Sequence, residues 1–210
     1  MCQLKKKIKM NRNIEFYKNL RKLIINNVLK VTEGEIDKIY DSWLETKDKT
    51  GIKTNFVYSE NLIHNNQKIP QDVTVKGIDL PTWFGNYNNQ KIVILGIDPL
   101  RSENVFKREN ANINEDVVIG TPYAFHEKDT REGWCANYWA LIDGLVKDNN
   151  FVYCTDIFKT YYYDKTTKTR SYNDKRFIDN LKHRDILISE LELIKPDLII
   201  LGIIFIFKFL

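Results

Sequence analysis

Two aspartates in this 210-residue chain stand where carboxylates can do chemistry. Asp98 follows the run Ile92 to Gly96 and precedes Pro99, and Asp156 follows the run Phe151 to Thr155. Both runs read as strands buried on two faces, as in a parallel sheet. Gly96 permits a sharp exit, and Pro99 stops the strand and stiffens the turn. If the strands are parallel, both carboxylates open on one crevice, at the carboxyl edge where open α/β sheets bind ligands. A carboxylate there can orient a water, stabilise a developing cation or hold a metal. The plainer alternative is a helix cap or a structural acid.

Two further groups have functional chemistry. Gly120-Thr-Pro-Tyr-Ala-Phe125 sets Tyr123 and Phe125 on a proline-stiffened turn. Either ring can stack on a base or simply pin the turn to the core. Lys159, Lys165, Lys168, Arg170, Lys175 and Arg176 interleave with Tyr161, Tyr162, Tyr163 and Tyr172. Cations among aromatics suit a nucleic-acid backbone and exposed bases, though a solvated loop has the same composition. His126 and His183 stand alone, without ligand spacing. Neither a Walker loop, a GxGxxG nor a GxSxG is present, which counts against phosphate-loop, dinucleotide and hydrolase-elbow chemistry.

The elements that must hold these residues follow from periodicity. Phe16, Tyr17, Leu20, Leu23, Ile24 and Val28 share a helical face over residues 14–30. Thr32-Glu-Gly-Glu35 fits a capping box for a helix carrying Ile36, Ile39, Tyr40, Trp43 and Leu44. Residues 48–90 read as irregular, and residues 100–133 as one long loop. Tyr138, Leu141, Ile142 and Leu145 line one face of a helix over 134–147, and a long helix over 174–195 turns Phe177, Leu181, Ile188, Leu191 and Ile194 inward. Pro196 ends it, and Leu198–Leu201 reads as a third buried strand. The order β-α-β-α-β predicts parallel strands with right-handed crossovers and helices on the faces. Residues 1–75 then form an N-terminal helical region and lead-in, and residues 76–210 an α/β domain.

Composition narrows the class. Hydrophobic residues make up 43% and charged residues 29%, as in a globular protein, and a net charge of +4 is mildly basic. Cys2, Cys135 and Cys154 lack CxxC spacing, so neither a disulfide framework nor a zinc site is expected, and a reducing cytoplasm is. Lys5-Lys6-Lys7 is followed by no apolar signal core. The apolar stretch from Leu198 to Leu210 is shorter than the roughly 20 residues a membrane-spanning helix needs. No membrane partner and a monomeric state are expected.

Three segments taken in order resemble the uracil-DNA glycosylase superfamily. Ile94-Leu-Gly-Ile-Asp-Pro99 looks like its first motif. Gly120-Thr-Pro-Tyr123 looks like the turn that presents a base-stacking aromatic, and Glu192 to Gly202 looks like its helix, Lys-Pro, strand, Leu-Gly segment. The resemblance covers residues 91–202. It implies a three-layer α/β/α sandwich with a mainly parallel sheet. It implies a DNA glycosylase that flips a base and hydrolyses its N-glycosidic bond. Asp98 would be catalytic, stabilising an oxocarbenium-like transition state and orienting water. Gly96, Ile97, Pro99, Tyr123, Phe125 and Asp156 would form the base pocket, and Lys159, Lys165, Lys168 and Arg170 would contact DNA.

Three departures shape these expectations. Asp156 stands where the family usually has an Asn that reads uracil. An ionised carboxylate only accepts hydrogen bonds, so it favours a base with an exocyclic amino group. The cysteines of cluster-bearing members are missing near Lys159 and His183, so no iron–sulfur cluster and no other cofactor or metal is expected. The chain stops at Leu210, before a His-Pro-Ser-like second motif. The expectation is therefore a C-terminally incomplete domain, and its alternative reading is an inactive glycosylase-like module that binds DNA or a partner.

Overall fold

The computed structural model describes residues 14–29, 31–45, 52–54, 73–97, 103–108, 110–113, 116–164, 169–170 and 182–201. Within them the chain is a mixed α/β protein. Helices α1 (Ile14–Asn27) and α2 (Glu33–Glu45) come first, then strands β1 (Ile52–Thr54), β2 (Val73–Asp79), β3 (Thr82–Phe84) and β4 (Lys91–Gly96). Helix α3 (Glu103–Arg108), strand β5 (Val117–Gly120) and helices α4 (Lys128–Glu132) and α5 (Ala136–Lys147) follow. The described chain closes with β6 (Phe151–Asp156), β7 (Thr160–Asp164), β8 (Thr169–Arg170), α6 (Lys182–Ile194) and β9 (Leu198–Leu201).

The strands form two sheets. One has the order β3-β6-β4-β9: β4 pairs in parallel with both β6 and β9, while β3 runs antiparallel to β6. Parallel strands here are the three apolar runs read from the sequence. The second sheet, β1-β5-β2-β7-β8, is antiparallel except for the β2–β5 pair. It corrects the expectation of loops over 48–90, 100–133 and the tyrosine-rich segment. β2 carries Lys76, Gly77 and Asp79 and β7 carries tyrosines in place of uniform apolar runs, while β5 is an apolar run of only Val117, Val118 and Ile119 before Gly120, too short to stand out.

Alternation along the first sheet feeds two cores. Trp83, Val93, Phe151 and Tyr153 face α1, α2 and α6, while Phe84, Ile94, Val152 and Cys154 face α5 and the Tyr123 turn. The N-terminal helices belong to the first core: the Phe16 ring lies edge-on to Trp83 at 5.4 Å and stacks on Tyr87 at 4.6 Å. Their apolar faces are those read from the sequence, apart from the Leu44 side chain, which lies outside the described residues. The capping box also forms, with Glu35 Oε2 accepting from Thr32 N at 2.7 Å and Thr32 Oγ1 accepting from Glu35 N at 3.3 Å.

Three packing expectations need correction. Leu198, Ile199 and Leu201 are exposed, because β9 is an edge strand whose only described neighbour is β4. Leu141 of α5 is exposed. In α6 the buried face is His183, Ile186, Glu190 and Ile194, while Ile188 is exposed. Phe177 and Leu181 lie outside the described residues. No helix among the described residues is long and apolar enough to cross a membrane.

Candidate functional site at the carboxyl edge of the parallel strands

The parallel pairing of β4 with β6 places Gly96 opposite Asp156. The two strand ends are laced together beyond the ladder, since Ile157 N donates to Gly96 O at 3.0 Å and Phe158 N to Ile97 O at 2.9 Å. The Asp156 carboxylate is buried and lies directly over Gly96. A Cβ on Gly96 would overlap Asp156 Oδ1 and would sit 3.4 Å from Tyr123 Cε2. Three residues singled out from sequence thus converge at one point. Ile97, 39% exposed, forms the solvent side of this strand end.

Tyr123 arrives from a strained turn. Residues 122–124 form a single 3₁₀ turn in which Tyr123 has φ 55° and Ala124 φ 50°. The left-handed region costs a non-glycine residue about 1–2 kcal/mol. The neighbourhood supports the strain. Thr121 Oγ1 accepts from His126 N at 3.2 Å, Arg131 donates to Phe125 O at 2.6 Å, and Glu127 is held by Arg108 at 2.8 Å and Thr130 at 2.8 Å. Tyr123 stacks on Tyr138 at 4.8 Å with 22° between the rings. Burial, and then the nearness of Tyr138 and Asp156, push its phenol pKa far above the usual value, so it remains a neutral ring.

Phe125, the alternative stacking ring, is buried in the second core against Trp139. The nearby thiols are also inert: burial raises Cys135 to about 12 and Cys154 still further.

Lys159 departs most from expectation. It is not a surface cation for DNA but is 1% exposed, with its ammonium against Glu190 Oε2 at 2.6 Å. Asp98 and Pro99, like Lys165 and Lys168, lie outside the described residues. Arg170 is placed by its backbone alone, on β8 opposite Tyr163. Among the described residues no group of His, Cys, Asp and Glu is arranged to hold a metal ion.

Sequence reasoning missed Tyr138 and the Lys159–Glu190 pair. Nothing local marks Tyr138 as more than a helix-face aromatic. Glu190 did carry a signal, since it shares a helical face with Ile186 and Ile194, where a buried acid requires a buried partner.

No family model, curated protein or solved structure matches the chain.

Proposed function

We propose that the chain is a DNA glycosylase-like protein whose cleft receives a flipped base. The observation that carries the reading is the meeting of Gly96, Tyr123 and Asp156 at the carboxyl edge of the β4–β6 pair. The side-chain-free position at Gly96 makes room for the Asp156 carboxylate beside Tyr123. Tyr123 supplies a neutral ring for stacking, worth about 1–3 kcal/mol per base. An ionised carboxylate at Asp156 accepts hydrogen bonds only, so the favoured ligand presents an exocyclic amino group, as cytosine or adenine does, or a modified base of that pattern. Asp98, two positions beyond Gly96 in the chain, is the group assigned to stabilise the sugar cation and orient water. The four-stranded sheet with a core on each face is read as the glycosylase-like three-layer sandwich.

The test is base release from single- and double-stranded oligonucleotides carrying cytosine, adenine, uracil and modified bases. The reading expects release of an amino-bearing base by the parent protein, and its loss with retained DNA binding in Asp98→Asn. Excision of uracil alone would overturn the base assignment. DNA binding by a parent that never releases a base would make the chain a binding module.

A further inference from the structure

Lys159, Glu190 and Thr155 form a closed buried triangle behind the cleft. Lys159 Nζ donates to Thr155 Oγ1 at 2.5 Å, to Asp156 O at 2.6 Å and to Glu190 Oε2 at 2.6 Å. Thr155 Oγ1 in turn donates to Glu190 Oε2 at 2.9 Å. These contacts use all three ammonium protons. Both charged side chains are 1% exposed. The backbone of Lys159 is fixed as well, since its N–H donates to His183 Nδ1 at 3.2 Å. A histidine that accepts at Nδ1 carries its proton on Nε2. The Tyr153 phenol lies on the same side, where burial and the Glu190 charge raise its pKa.

A buried ion pair is a poor source of net stability. Removing two charges from water costs about what their attraction returns, and apolar replacements of similar volume are often as stable. Such a pair does fix geometry, and this one is aimed at the end of β6. Side chains alternate across the strand, so Tyr153 and Thr155 point toward α6 while Cys154 and Asp156 point toward the second core and the Tyr123 turn. The ammonium grips the strand from behind, at the Thr155 hydroxyl and the Asp156 carbonyl. Both backbone and the preceding side chain of Asp156 are thereby immobilised. The carboxylate that follows lies over Gly96 and beside Tyr123.

We infer that Lys159 and Glu190 are a positioning pair that holds the Asp156 carboxylate over Gly96 beside Tyr123. The part of this that concerns base preference rests on the function proposed above; the geometric part does not. The experiment compares the parent with Lys159→Met/Glu190→Leu, which removes one charge of each sign and leaves no buried ion alone. Three quantities are read: the unfolding temperature, the ¹³C resonance of the Asp156 carboxyl with the Gly96–Tyr123 nuclear Overhauser contact, and relative affinity for cytosine- and uracil-containing single strands. The expected result is an unfolding temperature kept or raised, a displaced resonance, a lost Gly96–Tyr123 contact, and a base preference that falls by about tenfold. A folded double variant with an unmoved resonance and an intact contact would overturn the inference and leave the pair a structural staple. Should that variant fail to fold, Thr155→Val cuts the same triangle without touching either charge. It is expected to displace the resonance in the same direction, and an unmoved resonance there also overturns the inference. A parent with no base preference whose resonance still moves in the double variant would sink the proposed function while upholding the positioning pair.

Discussion

Gly96 and Ala124 make opposite demands on a side chain, and both demands can be measured. At Gly96 a methyl group would occupy the place of Asp156 Oδ1, so the carboxylate must swing away or the strands must part. Gly96→Ala should cost about 1–3 kcal/mol, the usual range for overpacking. The same change in an Asp156→Ala background should cost nearly nothing, because the colliding group is gone. Denaturant melts of the four proteins give the coupling energy directly, and additive costs would show that the carboxylate is not what Gly96 accommodates. At Ala124 the left-handed backbone favours glycine. Ala124→Gly should leave stability unchanged or raise it by up to about 1 kcal/mol. Ala140→Gly, in the exposed interior of α5, should lower it by about 1 kcal/mol. Equal losses at both positions would mean that the turn is not strained in solution.

Elements differ in how plainly the sequence announces them, and the reason is what each must bury. β4 and β6 lie between two cores and need apolar side chains on both faces, so their runs stand out, and with them the pairing that faces Gly96 with Asp156. β2 and β7 accept Lys76, Asp79 and Thr160 in buried positions, so no period-2 apolar pattern betrays them, and the apolar β5 beside β2 is only four residues long. In α6 the apolar spacing points to the wrong face, because His183 and Glu190 turn inward to meet Lys159. Of the candidate site, the strand-end acid, the glycine and the turn aromatic were legible because each breaks a local pattern. Tyr138 and the Lys159–Glu190 pair were not, because their roles depend on contacts with distant parts of the chain. α2 was fully legible down to its cap, which gives a pH test. Hydrogen bonds from the Thr32 backbone and side chain hold the Glu35 carboxyl below its ordinary pKa, with Lys38 adding a little and slight burial opposing. A depressed carboxylate contributes stability above its unfolded pKa and loses it as pH falls through the folded value. Protection of the first-turn amides of α2, measured against their intrinsic exchange rates, should therefore fall below about pH 4.5, the carboxyl's unperturbed value. Glu35→Gln should flatten that dependence. A first turn as protected at pH 3 as at pH 7 would count against the cap.

At the scale of the whole molecule, the question is whether the N-terminal helices are an appendage or part of one folding unit. Their sequence suggests a separate region, ending near residue 75. Their packing argues otherwise. Trp83 of β3 is fully buried, with Phe16 at 5.4 Å, Tyr17 at 5.8 Å and Tyr40 at 5.3 Å, so one strand residue holds both helices. Tyr40 also donates to Pro81 O at 2.8 Å, which fixes α2 to the residue before that strand. On the far side α1 packs with α6, and Tyr87 donates to Leu193 O at 3.0 Å. The core that covers the Tyr153 face of the first sheet is thus made largely by the two helices. Losing a buried tryptophan costs about 3–5 kcal/mol, comparable to the whole net stability of many domains. Trp83→Ala should therefore lower the midpoint of a single transition in which α1, α2 and the β4–β6 strands lose amide protection together. Two transitions, with the sheet retaining protection after α1 and α2 have melted, would make the helices an independent layer. In that case the shared aromatic core would not couple them to the strand ends that carry Gly96 and Asp156.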